Sequence, residues 1–266
     1  MISSRAYLLV FHGSRDTRTL AAASELKQLL LTKCRFKNIL TQQNYLEANL
    51  PDYENKLSDT VSLLETTHLV DIAALELASK SLSESLVDFA RQAHSRGIKQ
   101  INVIPLFLAP GIHVKQDIPS EIALALKQLD RAISIELSSF LGKYSGTISL
   151  LLNKFLQLSG EARILVAHGS RLSGVASYYQ DLAIKLDADL AYWSTAPKIA
   201  SIVEAQINSG KKKIAILPYF LFPGRITSAI ASEVAQLQAQ YPQVELNLGE
   251  PLGATEALAK LIAESV

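Results

Sequence analysis

The sequence holds one cysteine, Cys34, among its 266 residues. That excludes an intramolecular disulfide, a cysteine-built zinc site and a cysteine-ligated iron–sulfur cluster. Charge of one sign is missing as well: 26 Lys and Arg against 25 Asp and Glu leave a net charge of +1. Such a balance offers neither the footprint of a nucleic-acid binder nor a polybasic membrane patch. No apolar run reaches the roughly 18 residues of a spanning helix. No charged stretch followed by a long apolar core marks a secretory signal, and no segment is of low complexity. What remains is a chain that is 48% hydrophobic, ample for packed cores. The expectation is a soluble cytoplasmic protein with no nucleic-acid or membrane partner.

What is present is a repeat. Tyr7-Leu8-Leu9-Val10-Phe11 is a continuous apolar run, as in a strand of a parallel sheet buried on both faces. It stops at His12-Gly13-Ser14-Arg15, and helical spacing begins near Thr19. His12 should therefore sit at the carboxyl end of a central strand, where open α/β sheets bind ligands. Ile164-Leu165-Val166-Ala167 followed by His168-Gly169-Ser170-Arg171 repeats the order. Two copies, each opening a half of the chain, predict two halves, 1–145 and 146–266.

Each half continues with strands and helices in alternation. Leu20, Ala23, Leu26, Leu29 and Leu30 share one helical face and predict a first helix to about Lys33. Residues 34–66, with Gln and Asn clusters and Pro51, read as an insertion containing a helix from Asp52 to Leu64. Strands follow at Leu69–Leu75, Ile101–Leu108 and Ile133–Leu137, with a helix over Leu82–Ala93 that closes at Gly97. A further helix starts near Pro119, since proline suits the first helical position, and another runs from Ile148 to Leu158. The second half echoes this with strands at Leu190–Trp193, Ile214–Leu221 and Val244–Leu246. Its helices are expected at Tyr178–Leu186, Ile199–Ile207 and Ala254–Ala263. His12 and Pro105 lie 93 positions apart, but His168 and Pro218 only 50, so the first half carries the insertion. Strands alternating with helices predict an α/β protein with two four-stranded parallel sheets.

Three ordered motifs in the first half resemble the sirohydrochlorin chelatases, the class II tetrapyrrole chelatases. They are Phe11-His12-Gly13-Ser14-Arg15, then Leu75-Glu76-Leu77-Ala78 before the Ser81-Leu82 helix start. The third is Val103–Leu108, running through Gly111-Ile112-His113-Val114 to Asp117-Ile118-Pro119. The resemblance implies two flavodoxin-like halves facing across a cleft. It also implies insertion of a divalent metal into a sirohydrochlorin-type ring, with no organic cofactor and the metal, Fe²⁺ or Co²⁺, as a substrate. Short members of that family pair two identical chains, so a fused chain is expected to work as a monomer.

The chemistry needs ligands that hold a divalent ion loosely and a base for two pyrrole protons. Imidazole suits Fe, Co, Ni and Zn without choosing among them. A neutral imidazole can also accept a proton near pH 7. His12, at a strand end with a counterpart at 168, and His113, in a loop after Pro110-Gly111, are the expected pair. Family order makes His113 the second metal-handling histidine and Glu76 the carboxylate, over Glu47 in the insertion. Glu76 would complete the ligand set or orient a histidine. Arg15, Lys115, Arg171 and Arg225 lie in strand-end loops and, with His168, are candidates for the ring's carboxylates. His68 and His94 read as structural. The second half keeps His168 but has no loop histidine, with Arg225 or Ile226 in that place and Ser194 or Asp189 in place of Glu76. The expected activity is Fe²⁺ insertion to give sirohaem. The alternatives are cobalt insertion for cobalamin synthesis, or a metal or tetrapyrrole carrier without turnover.

Overall fold

Ala6 to Phe11 are all buried because β1 (Arg5–Phe11) has a strand on each side and helices over both faces. The computed structural model describes residues 5–49, 68–129 and 133–266. In the first half β1 lies between β2 (His68–Ala74) and β3 (Gln100–Pro105), with β4 (Ser134–Leu137) beyond β3. The second half repeats the order: β5 (Ala162–Ala167) lies between β6 (Asp189–Tyr192) and β7 (Lys213–Pro218), with β8 (Glu245–Leu248) outside. Every pair is parallel, as the uninterrupted apolar runs predict.

One face of the first sheet is covered by α2 (Leu82–Ser95) and α3 (Ile118–Leu126), through Leu86, Phe89, Ala93 and Ile122. Ser81 caps α2: its side chain accepts from the Glu84 amide and Glu84 accepts in return from the Ser81 amide, satisfying two otherwise unpaired donors. On the other face lies α1 (Thr17–Asn49), with Ala23, Leu26 and Leu30 fully buried. This helix continues well past Lys33. The first proline or glycine after Thr17 is Pro51, and Gln and Asn clusters do not stop a helix as those residues do. The expected helix from Asp52 to Leu64 lies outside the described residues.

The second sheet is covered by α6 (Ile199–Asn208) and α7 (Arg225–Gln240) on one face. On its other face are α4 (Gly146–Leu156) and α5 (Ser173–Lys185). The last helix, α8 (Glu256–Ser265), does not stay with the half that precedes it. Its Leu258, Ala259, Ile262 and Ala263 pack into the first sheet's core beside Leu26 and Leu30 of α1. Conversely, Leu151 and Phe155 of α4, which follows β4, pack into the second sheet's core. In repeat order α4 closes the first half and α8 the second, so the packing exchanges the closing helices; a boundary at 145/146 would group α4 with the sheet it covers but separate α8 from its own. Lys33 of α1 pairs with Glu256 of α8 across the exchange.

Two tyrosines, Tyr219 buried and Tyr178 partly buried, fasten the halves. Tyr219, whose hydroxyl burial pushes well above its ordinary pKa and keeps protonated, donates to the Leu108 carbonyl at 2.9 Å. Tyr178 donates to the Gly142 carbonyl at 2.7 Å. Gly142 has to be glycine, since a Cβ there would stand 2.1 Å from the Leu108 oxygen. Among the described residues no helix is long and apolar enough to cross a membrane.

The exchange makes the far end of the chain part of the first half's core. Ile262→Ala should cost about 2–5 kcal/mol in denaturant unfolding. Faster amide exchange should appear in β1 and α1 as well as in α8. A loss of protection confined to α8 would show that this helix only decorates the first sheet.

Candidate metal centre in the cleft

The strand order places β1 beside β3 while their crossover connections run to opposite sides, so a crevice opens beyond their carboxyl ends. His12 follows β1 and His113 follows β3, placing both at that crevice. Glu76 arrives from the neighbouring β2, held by its amide donating to the His12 carbonyl at 2.9 Å. Gly13 permits the approach. Its φ is +97°, and a Cβ would meet the Glu76 carbonyl oxygen at 1.9 Å.

The three side chains converge. His12, Glu76 and His113 each offer a donor atom, and these atoms all lie within 4.8 Å of one another. Glu76 stands between the rings, one carboxylate oxygen 3.9 Å from His12 Nε2 and the other 3.9 Å from His113 Nδ1. Those separations are too long for hydrogen bonds. Donors on one ion at roughly 2.0–2.2 Å would sit about 3–3.5 Å apart, so His12 Nε2 and the Glu76 carboxylate need close only slightly to share a metal. The two rings meet edge to face with centroids 4.8 Å apart. His12 Nδ1 lies 3.1 Å from the Gly13 carbonyl, an acceptor, so Nδ1 is the protonated nitrogen and Nε2 keeps its lone pair. Glu76 lies beyond the strand end with its side chain half exposed. One point of the sequence reading changes. His113 opens a π-helical turn, His113–Asp117, that runs into α3, where a loop was expected. Glu47 falls within the helical span of α1.

Facing His12 across a cleft of about 680 Å³ is a wall from the second half: Trp193, Phe220, Phe222, Arg225, Ile226 and Thr227. Arg225 is the predicted substrate contact that lines this cavity. Arg15, Arg171 and His168, exposed after strand ends, and Lys115, exposed on the π-helical turn, do not line it. Among the described residues Arg15, Lys115, Arg171 and Arg225 form no ion pair, though Arg225 lies near enough to Asp16 to help hold that carboxyl below its ordinary pKa. The aromatic wall was missed in sequence, although Trp193 ends a strand run and Phe220 and Phe222 flank Leu221 just before the Pro223-Gly224 loop. Arg18 was missed as well. It pairs with Asp16 at 2.7 Å, holding that carboxyl below its ordinary pKa, and donates to Ser228 Oγ across the halves at 3.0 Å.

The hydrogen bonds also settle how the halves align. The Ser194 amide donates to the His168 carbonyl as that of Glu76 donates to His12, so Ser194 takes the place of Glu76. Leu106 and Tyr219 make matching bonds to Val10 and Val166, and without a gap Ile226 then takes the place of His113. Arg225 stands one position before it. Among the described residues no other group of three metal-binding side chains forms.

The CbiX family model matches residues 51–158 and again 162–266. The chain belongs to the CbiX family. Glu76 and His113 lie within the first match and His168 within the second, while His12 lies ahead of both. A sirohydrochlorin cobaltochelatase of Priestia megaterium is 25% identical over 213 residues, covering 74% of this chain and 68% of that protein. A sirohydrochlorin ferrochelatase of the same organism is 23% identical over 209 residues, covering 74% and 76%. In fold, this CbiX chain matches the structure of SirB from Bacillus subtilis with Fe³⁺ at a TM-score of 0.67 and 20% identity, over 98% of this chain and 94% of that one. The resemblance to sirohydrochlorin chelatases, and the two-sheet fold it implied, are thus borne out.

Gly13→Ala should push the Glu76 backbone away from His12, because the strained φ and the 1.9 Å overlap act together. The expected cost is about 1–3 kcal/mol of strain and a loss of tight Co²⁺ binding measured by equilibrium dialysis. Wild-type cobalt affinity in that variant would show that Gly13 does not set the carboxylate's place.

Proposed function

We propose that this protein inserts Fe²⁺ into sirohydrochlorin. The observation that carries the reading is a His–Glu–His set whose His12 faces an aromatic wall across one cleft, with Glu76 and His113 just behind it. A flat macrocycle can stack on Trp193 and Phe220 with its other face toward His12, Glu76 and His113. Arg225 at the start of α7 meets carboxylates at the ring's edge, aided by the helix's free amides.

Two imidazoles and one carboxylate hold a divalent ion with coordination positions left open, so ring nitrogens can replace protein donors one at a time. Insertion breaks two pyrrole N–H bonds as metal–nitrogen bonds form. As His12 and His113 release the ion, their lone pairs become free to accept the two protons and pass them to water. The negative charge of Glu76 favours the ion before transfer, and the neutral histidines let it leave. The same donors suit Co²⁺, which is the second reading; the names of the two Priestia relatives divide between the metals. A carrier would need the wall and the ligands but would turn nothing over.

The deciding assay is anaerobic: sirohydrochlorin in excess over protein, with Fe²⁺ or Co²⁺, followed by visible absorption. Conversion beyond one ring per chain, faster with Fe²⁺, is expected; conversion that stops at one ring means a carrier, and a cobalt preference overturns the iron assignment. His12→Ala and His113→Ala should each remove most activity, Glu76→Gln should impair metal use more than Glu47→Gln, and His168→Ala should be milder than His12→Ala. An active His12→Ala or His113→Ala enzyme would remove that histidine from the set.

Arg225→Ala tests the division of labour. Loss of an exposed cation–carboxylate contact costs about 1 kcal/mol or less, so substrate KM should rise several-fold while metal KM stays constant. A variant with altered metal KM and normal substrate KM would make the second half a metal site.

A further inference from the structure

The loop histidine of the first half carries a feature that its own repeat lacks. His113 Nδ1 lies 2.7 Å from Asp117 Oδ2, four residues on and one turn along the same segment. That segment, His113–Asp117, is wound as a π-helical turn, closed by the Ile118 amide donating to the His113 carbonyl. Single π-turns inside helices gather at functional sites. The second half shows the same chain without these parts. There α7 starts as ordinary α-helix at Arg225, Ile226 stands where His113 does, and four residues on is Ile230, fully buried in the core. The histidine, its carboxylate and the π-turn are present together or absent together within one molecule.

From this we infer that Asp117 is a positioning residue: it fixes the proton of His113 on Nδ1 and presents Nε2 as the nitrogen that handles the metal. A 2.7 Å contact between a ring nitrogen and an ionised carboxylate needs a proton between them, since two facing lone pairs repel. The carboxylate accepts, so Nδ1 donates. Glu76, at 3.9 Å from the same Nδ1, is too far to compete for that proton. The neutral ring is then left with its lone pair on Nε2. His12 reaches the same state by a different route, its Nδ1 bonded to the Gly13 carbonyl. The two histidines therefore present equivalent nitrogens, one set by a backbone carbonyl and the other by a carboxylate. A carboxylate behind His113 also makes its ring a stronger donor than His12 and fixes its orientation on a turn rather than on a strand end. An ion would be held more firmly on the His113 side of the set and yielded first from the His12 side. The assignment rests on the His–Glu–His reading given above.

The test reads the proton itself. In ¹⁵N-labelled, metal-free full-length protein at a pH where imidazoles are neutral, two-bond ¹H–¹⁵N correlation spectra report which nitrogen of each histidine is protonated. His113→Gln assigns the signals. Wild type is expected to show His113 protonated at Nδ1. Asp117→Ala should move the proton to Nε2 in a major fraction of molecules, and Asp117→Asn, which keeps a carbonyl acceptor, should hold it on Nδ1. Outer partners of metal-bound histidines typically contribute about 10–100-fold to metal affinity. Co²⁺ binding followed by equilibrium dialysis should therefore weaken by about that factor in Asp117→Ala and by much less in Asp117→Asn. His113 protonated at Nε2 in wild type would overturn the proposal, as would an unchanged tautomer or cobalt affinity in Asp117→Ala. Neither measurement uses the ring substrate, so failure of the sirohydrochlorin reading would show in the turnover assay and leave these results standing.

Discussion

Everything at the cleft depends on how closely the chain after β1 can pass the chain after β2. Gly13 lies against the Glu76 carbonyl with no room for a side chain, and the Glu76 amide closes the contact on His12. That backbone approach, fixed by the parallel register of β1 and β2, brings a carboxylate beside an imidazole without burying either. A half-exposed pair costs little desolvation, so the charge of Glu76 remains available to an incoming cation. In the second half the Ser194 amide makes the matching bond to the His168 carbonyl, but the space beside Gly169 is filled by the Thr195 and Ser194 hydroxyls, and a serine stands where the carboxylate would be.

Much of this was legible in sequence because parallel strands announce themselves. The runs at Tyr7–Phe11 and Ile164–Ala167 are apolar on both faces, and each stops at a histidine and a glycine. That placed His12, and motif order then brought in Glu76 and His113. The rest was hidden for identifiable reasons. The length of α1 was obscured by polar residues that neither favour nor break a helix. The exchange of α4 and α8 leaves no local trace, since an amphipathic helix presents the same stripe to either sheet. Asp117 sat four residues from His113 in plain view, but the loop assigned to that stretch hid the one-turn spacing that joins them. Trp193, Phe220 and Phe222 belong to strand ends, where an aromatic residue reads equally well as core.

Fusion of the two halves also changes what each one must do. With the closing helices exchanged, neither sheet has a complete core of its own, and the tyrosine bonds at Leu108 and Gly142 fix the halves' relative position. The cleft is therefore held open by packing remote from it. Freed of the need to carry a second ligand set, the second half presents Arg225 and aromatic rings to the cleft.

Under the proposed function, that asymmetry would give metal transfer a direction. Were both walls to carry His–Glu–His, an ion could be held equally from either side, and a ring between them would meet a donor set on each face. With donors on one wall alone, the ion approaches the ring from a single face, and the opposite face rests on surfaces that offer it no ligand. Cation repulsion from Arg225 further disfavours a metal on that side, while the same charge attracts carboxylates at the ring's edge. Ring and ion are thereby drawn to opposite walls of one cavity and meet only across the short distance between them. The loss of two ligands from the second half is, on this reading, what turns a symmetric pocket into a site where delivery runs from one wall to the other.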